Sequence, residues 1–246
     1  MRQLIKSGLR KLGYDLVAPS NAYPDITADE WAIIHFVESY SCTSIERLVS
    51  VIRATEYLIA NQISGDIVEC GVWRGGSAMA AALTLEKGGD TTRNFYLYDT
   101  FSGMSVPTGD DRLAGTDVSA AELLSKHDNG TGYWCYADRA DVERNMVSTR
   151  YPGDRIIYVE GKVEETIPKT IPERIALLRL DTDWYESTKH ELIHLFPRLV
   201  NFGILIVDDY GHWTGAKKAT DEYFADFSPK PFLSRIDYTG RLLIKN

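Results

Sequence analysis

Five apolar runs punctuate this chain, and each ends at or beside a carboxylate: "GDIVECG", "NFYLYD", "RIIYVEG", "RIALLRLD" and "FGILIVDD". Short runs rich in Val, Ile, Leu, Phe and Tyr read as strands buried on both faces. Segments with helical spacing fall between or beside them: "GSAMAAALTLEKGG", "ADVERNMVSTRY", "YESTKHELIHLFPRL" and "GAKKATDEYFADF", with "IERLVSVIRATEYLIANQ" over 45–62 ahead of the first strand. Such alternation predicts a doubly wound, mostly parallel α/β sheet. The tail "PFLSRIDYTGRLLIK" reads as a closing antiparallel hairpin that turns at Thr239–Gly240. One domain over 1–246 is expected, with 1–62 a helical extension of it. Residues 102–137 are polar, turn-rich and too long for a plain connection, so they read as a lid insertion.

In sheets of this class ligands bind beyond the carboxyl ends of the strands. Glu69, Asp99, Glu160, Asp181 and Asp208 all stand at such ends, and convergence on one edge would make them one site. "LDTDWYEST" supplies Asp181 and Asp183, and "ILIVDDYG" supplies Asp208 and Asp209. Carboxylates crowded in this way stay ionised only with a cation or a set of donors between them.

"VECGVWRGGSAM" is the most specific ligand signal. Gly71 opens a turn after the strand, Gly75 and Gly76 allow close backbone approach to a ligand, and Ser77 starts the helix. The spacing G-x-x-x-G-G departs from the G-x-G-x-x-G of dinucleotide sites, so a diphosphate is not expected. An acid at this strand end and a second at the next, Asp99, suit a cofactor with an amino-acid part and a ribose.

The net charge of −8, from 27 Lys and Arg against 35 Asp and Glu, gives no basic face for nucleic acid. Cys42, Cys70 and Cys135 form neither a CxxC pair nor a zinc spacing, which favours reduced thiols and a cytoplasmic setting. No run is long enough for a membrane span. The basic N-terminus "MRQLIKSGLRKLGYDLV" lacks a signal-peptide core, and Leu4, Ile5, Leu9 and Leu12 share one face of an amphipathic helix.

"GDIVECGVWRGGS", "YLYDTFSGM", "LRLDTDWYEST" and "ILIVDDYGHWTGAKKATDEY" together resemble the macrocin and mycinamicin O-methyltransferases of macrolide-sugar biosynthesis, a group that includes the noviose O-methyltransferase. The resemblance runs from about Thr43 to the C-terminus. It implies a Rossmann-like class I methyltransferase fold, S-adenosylmethionine and Mg²⁺ as cofactors, and methylation of a sugar hydroxyl on a small-molecule glycoside or glycan. By motif position Glu69, Gly71, Gly75 and Ser77 line the cofactor's amino-acid end, Asp99 holds the ribose and Gly161 lies near the adenine. Thr43, Thr100, Phe101 and Asp181 belong to the same cofactor set. Asp181, Asp208 and Asp209 surround the metal. The family also implies a homo-oligomer.

Two residues compete for the role of general base. Asp183 is placed there by some family members, but Asp183-x-x-Glu186 ahead of a helix is equally a capping box. His127 in "LSKHDNGTGY" is the rival. Trp73, Trp184 and Trp213 follow strand ends and could stack on adenine or sugar, or simply pack. His190 and His194, at i,i+4, read as surface residues rather than a metal pair. Two other functions use the same residues: a metal-dependent glycosyltransferase holding a nucleotide sugar at Asp181-Thr182-Asp183, and a non-catalytic cofactor-binding scaffold.

Overall fold

The computed structural model describes residues 22–126 and 135–246. The basic N-terminal segment and His127 therefore lie outside the described residues. Among the described residues, α-helices precede the sheet. Helix α1 (Ala28–Val37) opens at Thr27, whose hydroxyl accepts from Glu30 N while Glu30 Oε2 accepts from Thr27 N. This is a reciprocal capping box. Helix α2 (Ile45–Ala60) is capped by Ser44 and turns Leu48, Val51, Ile52, Thr55 and Leu58 inward.

The sheet follows. Strand β1 (Asp66–Cys70) leads through the glycine loop to α3 (Gly76–Lys87) and β2 (Phe95–Asp99). The insertion holds the short helix α4 (Ala120–Lys126). Then come α5 (Arg139–Ser148), β3 (Ile156–Glu160), the single turn α6 (Val163–Thr166), β4 (Ile175–Leu180), α7 (Tyr185–Leu195), β5 (Leu199–Val207) and α8 (Thr214–Tyr223). Strands β6 (Ser234–Arg235) and β7 (Arg241–Ile244) pair as the antiparallel hairpin expected around Thr239–Gly240.

The order across the sheet is β3-β2-β1-β4-β5-β7-β6. The first five strands run parallel, and β7 inserts antiparallel beside β5. Alternate side chains feed two cores. Ile67, Phe95, Leu97, Leu177 and Ile206 pack under α1–α3 and α5. Val68, Tyr98, Leu178, Leu180 and Val207 pack under α7 and α8. Burial on both faces explains why the strands read as continuous apolar runs. The chain order reverses between β1 and β4, and that switch point opens the crevice where the site lies. No helix among the described residues is long and apolar enough to cross a membrane.

Within the described part of the insertion one carboxylate ties the segment to the start of α7. Asp111 is fully buried; its carboxylate accepts from Thr108 N at 2.6 Å, Thr108 Oγ1 at 2.9 Å and Tyr185 N at 2.8 Å. Ala120 and Leu124 of α4 pack on Trp184, Trp213 and Ala216.

Candidate active site

The glycine loop is shaped by backbone contacts. Gly71 has φ of 80°, and a Cβ there would meet Asp181 O at 2.0 Å. The chain leaving β1 can therefore pass this close to the chain leaving β4 only where residue 71 has no side chain. Gly76 adds to its expected role. It, not Ser77, starts α3, and a Cβ on it would strike Ser41 Cβ at 2.5 Å and Tyr40 O at 2.6 Å. Its smallness serves the packing of the 40–43 segment across the helix, and it also lines the cavity over the β1–β4 crevice. Asp99 is tied back to the same loop: Oδ2 accepts from Val72 N at 2.7 Å and Trp73 N at 3.0 Å, and Oδ1 accepts from Phe101 N at 2.8 Å. Burial raises its pKa, and those amides work against the rise.

A cavity of about 290 Å³ lies over the β1–β4 crevice. It is lined by Thr43, Glu69, Gly71, Ser77, Asp99, Thr100, Gly161, Asp181, Asp183, Asp208 and Asp209. Three of the expected residues are not part of that lining. Gly75 caps α3 in a left-handed conformation without facing the cavity, because φ of 92° is what the turn requires. Phe101 is buried against Tyr158, held by the Asp99 hydrogen bond to its amide. Glu160 does not join the cluster at all; it is solvent-exposed at the edge strand, 3.8 Å from Arg139.

The acids of β4 and β5 are braced by two arginines that the sequence reading passed over. Arg179 is buried in β4. Its Nη1 reaches Glu69 Oε1 at 2.5 Å and Asp181 Oδ2 at 2.8 Å, and its Nη2 reaches Asp208 Oδ1 at 2.7 Å. Arg47 of α2 bonds Asp208 Oδ2 through Nη1 and Asp237 Oδ2 through Nε at 3.1 Å. Asp237 in turn accepts from Ser44 Oγ, Thr239 N and Gly240 N, so the hairpin turn fixes Arg47. Burial opposes the charge on Arg179, but Asp181, Asp208 and Glu69 overcome it and hold its pKa well above the ordinary value. A lone arginine inside "IALLRLD" was the available signal, because a buried guanidinium requires acid partners.

Bracing is incomplete. Glu69 Oε2 and Asp209 Oδ2 are buried without a hydrogen-bond partner, one at each end of the cluster. Burial pushes the Glu69 carboxyl up to about 7 despite Arg179. Burial, with repulsion from neighbouring carboxylates, carries Asp181 and Asp209 well above the usual range. Oxygen atoms of Asp181, Asp208 and Asp209 lie within 4.8 Å of one another. Seven acidic and three basic side chains line the cavity, a formal excess of acids.

Asp183 is not a helix cap. Trp184 occupies that position of α7 without a side-chain bond, and the expected capping box with Glu186 is absent. Asp111, reaching in from the insertion, takes Tyr185 N instead. This leaves Asp183 free for other work. Its backbone is left-handed, φ 66°, and Oδ1 accepts from Trp213 Nε1 at 2.6 Å. Burial, then repulsion from Asp181, pushes its pKa up to about 8. The turn is held from below, where Thr182 Oγ1 donates to the buried Glu191 at 3.0 Å. Trp184 and Trp213 are buried edge to face, 5.0 Å between centroids, and pack on one another at the cavity wall, which both of them line. Trp73 lines it as well. His190 and His194 contact one another on α7, and His190 Nε2 lies 3.0 Å from Ile167 O, away from the site.

The macrocin-O-methyltransferase family model matches residues 27–245. A tetracenomycin rhamnosyl 4'-O-methyltransferase of Streptomyces olivaceus is 30% identical over 89% of this chain and 79% of its own length. Demethyldecarbamoylnovobiocin O-methyltransferase of Streptomyces niveus is 31% identical over 82% of this chain and 74% of its own. The solved structure of the O-methyltransferase NovP superposes with a TM-score of 0.72 at 28% identity, covering 84% of this chain and 82% of that one.

Proposed function

The chain belongs to the macrocin-O-methyltransferase family, and from that premise we propose that it methylates a sugar hydroxyl of a glycosylated small molecule with S-adenosylmethionine, assisted by a divalent cation such as Mg²⁺. The observation that carries this reading is the pair of partnerless buried oxygens, Glu69 Oε2 and Asp209 Oδ2, on the two sides of one crevice. A buried polar atom without a partner points to a ligand that completes it. Glu69 is suited to an ammonium group and Asp209 to a hard cation.

Glu69 would accept from the cofactor's amino group, with Gly71 and Ser77 beside it. Asp99 has spare lone pairs for ribose hydroxyls, since its hydrogen bonds to Val72, Trp73 and Phe101 leave acceptor capacity. Thr43 Oγ1, also buried and partnerless, lies on the same wall. The bound cofactor supplies an electrophilic methyl group. Asp181, Asp208 and Asp209 fit a divalent ion: they are oxygen donors gathered within 4.8 Å, one oxygen is unspent, and the lining has a formal excess of acids. Such an ion supplies a Lewis acid that eases loss of the acceptor's hydroxyl proton.

Asp183 takes that proton in this reading. Its carboxyl, pushed up to about 8, is in its ionised form a stronger base than an ordinary carboxylate, and Trp213 Nε1 fixes its orientation. The remaining work is alignment, and the left-handed Asp183 turn held by Glu191 supplies it. The family match sets aside the nucleotide-sugar reading of Asp181-Thr182-Asp183. Labelled S-adenosylmethionine and a panel of deoxysugar glycosides test the proposal, with mass spectrometry locating the label. Methyl transfer that stops in chelator and returns with Mg²⁺ is expected. Full activity after metal is removed to below detection would reject the cation, and binding of S-adenosylhomocysteine without transfer to any glycoside would reject the acceptor class.

A further inference from the structure

The two rim cysteines lie far apart in sequence and meet in space. Cys42 is in the connection between the 3₁₀ turn Glu38–Tyr40 and α2, and Cys135 opens the stretch that leads into α5. Both line the cavity. Their side chains interact, each thiol being the first influence on the other's acidity. Cys42 is exposed, whereas the third thiol, Cys70, is buried in β1. The flanking walls are already joined once: Arg74 bonds Ser39 O at 3.1 Å and Asp141 Oδ2 at 2.8 Å, linking the 38–43 segment to α5. The 40–43 segment is also laid tightly across Gly76.

We propose that Cys42 and Cys135 are an oxidation-sensitive pair whose disulfide ties the two walls of the cavity rim and lowers turnover until it is reduced. The turnover part rests on the methyltransferase reading; the bond itself does not. Two side chains that already interact need only a small adjustment to reach bonding distance. Cys135 draws the Cys42 thiol below its ordinary range; burial opposes this and Arg47 adds to it. The more accessible sulfur is therefore also the better nucleophile.

With a small-molecule disulfide as oxidant, the Cys42 thiolate attacks one of its sulfurs and one small thiol leaves. Cys135 then loses its proton, attacks Cys42 sulfur and expels the second small thiol. Two protein thiols are oxidised to one disulfide, and the oxidant is reduced to two thiols that carry the protons away. A rim fixed in one arrangement slows exchange of cofactor and acceptor, and exchange commonly limits such enzymes.

The test incubates the full chain with oxidised glutathione, then maps peptides without reduction. A Cys42–Cys135 crosslink is expected, lighter by two hydrogen atoms, with Cys70 unmodified. Turnover with labelled S-adenosylmethionine should fall by roughly tenfold or more and return with dithiothreitol. Cys42→Ser and Cys135→Ser should each keep, in oxidant, the rate they show without it. Glutathione adducts without a crosslink, or a crosslinked protein with undiminished turnover, would overturn the proposal. If neither form methylates any acceptor, the fault lies with the methyltransferase reading, and the crosslink map alone decides the pair.

Discussion

The two halves of the carboxyl edge hold their acids by different means. At the β1–β2 end, Asp99 is gripped by the backbone amides of Val72, Trp73 and Phe101. At the β4–β5 end, Asp181 and Asp208 are gripped by the guanidinium groups of Arg179 and Arg47. Backbone donors belong to the loop whatever side chains surround it. Side-chain donors are single points of failure, and Arg179 serves both halves because it also holds Glu69. The cofactor end should therefore tolerate substitution at the other end, except at Arg179. Four experiments bear on that asymmetry, from the largest effect to the smallest.

Asp209→Asn should have the largest effect. Asp209 Oδ2 pairs with nothing in the protein, so the change breaks no ion pair. Turnover should drop by ~10³-fold or more, equivalent to several kcal/mol of lost charge stabilisation at the acceptor oxygen. Affinity for S-adenosylhomocysteine, measured by calorimetry, should stay within about twofold, because Asp209 touches no part of the glycine loop. A matched fall in cofactor affinity would show that the halves are one unit.

Arg179→Met crosses the boundary. It leaves Glu69, Asp181 and Asp208 buried with their main counter-charge removed. Breaking a buried pair in this way costs about 3–5 kcal/mol of stability, visible in urea unfolding. Cofactor affinity should fall with it, unlike in Asp209→Asn. Near-normal stability would mean that Arg47 suffices to neutralise the cluster.

The same asymmetry explains what the sequence disclosed. The strands, their order of use and the acids at their ends follow from local apolar runs and motif spacing, and these appear where expected. Arg179 was read as part of an apolar run, since nothing local says that its charge meets acids from β1, β4 and β5. Of the two roles open to Asp183, base and cap, the spacing to Glu186 supports the cap, yet Asp111, far away in the chain, holds that helix end. Gly76 reads as a ligand-approach glycine and does line the cavity, but its tightest constraint is the distant Ser41. Each miss is a long-range contact that overrode a local pattern. The capping box at Thr27–Glu30 is the converse case: a local pattern that marks a helix start by itself.

Asp111→Ala probes the third support, the insertion that pins α7 beside the Asp183 turn. Three donors lose their acceptor at a fully buried position. A loss of about 1–3 kcal/mol is expected, seen as a lower Tm. Stability unchanged by this substitution would mean that the Trp184–Trp213 contact alone anchors the insertion.

The smallest effect is a pH dependence confined to the cofactor half. Burial lifts the Glu69 carboxyl to about 7, with Arg179 opposing the rise. A carboxyl raised on folding binds more protons in the native state than in the unfolded chain between its ordinary pKa and about 7. Stability of the empty protein therefore declines as pH rises through that window. Cofactor binding runs the other way. An ammonium group pairs with the carboxylate, so affinity for S-adenosylhomocysteine should weaken as pH falls through about 7, by roughly tenfold for each unit below it. Glu69→Gln should bind more weakly at high pH and lose the slope, while Asp209→Asn should keep it. Calorimetric titrations across this range decide the point. A flat profile in the unmodified protein would mean that Arg179 holds Glu69 ionised throughout, and the charge-held half would then set the chemistry of the other.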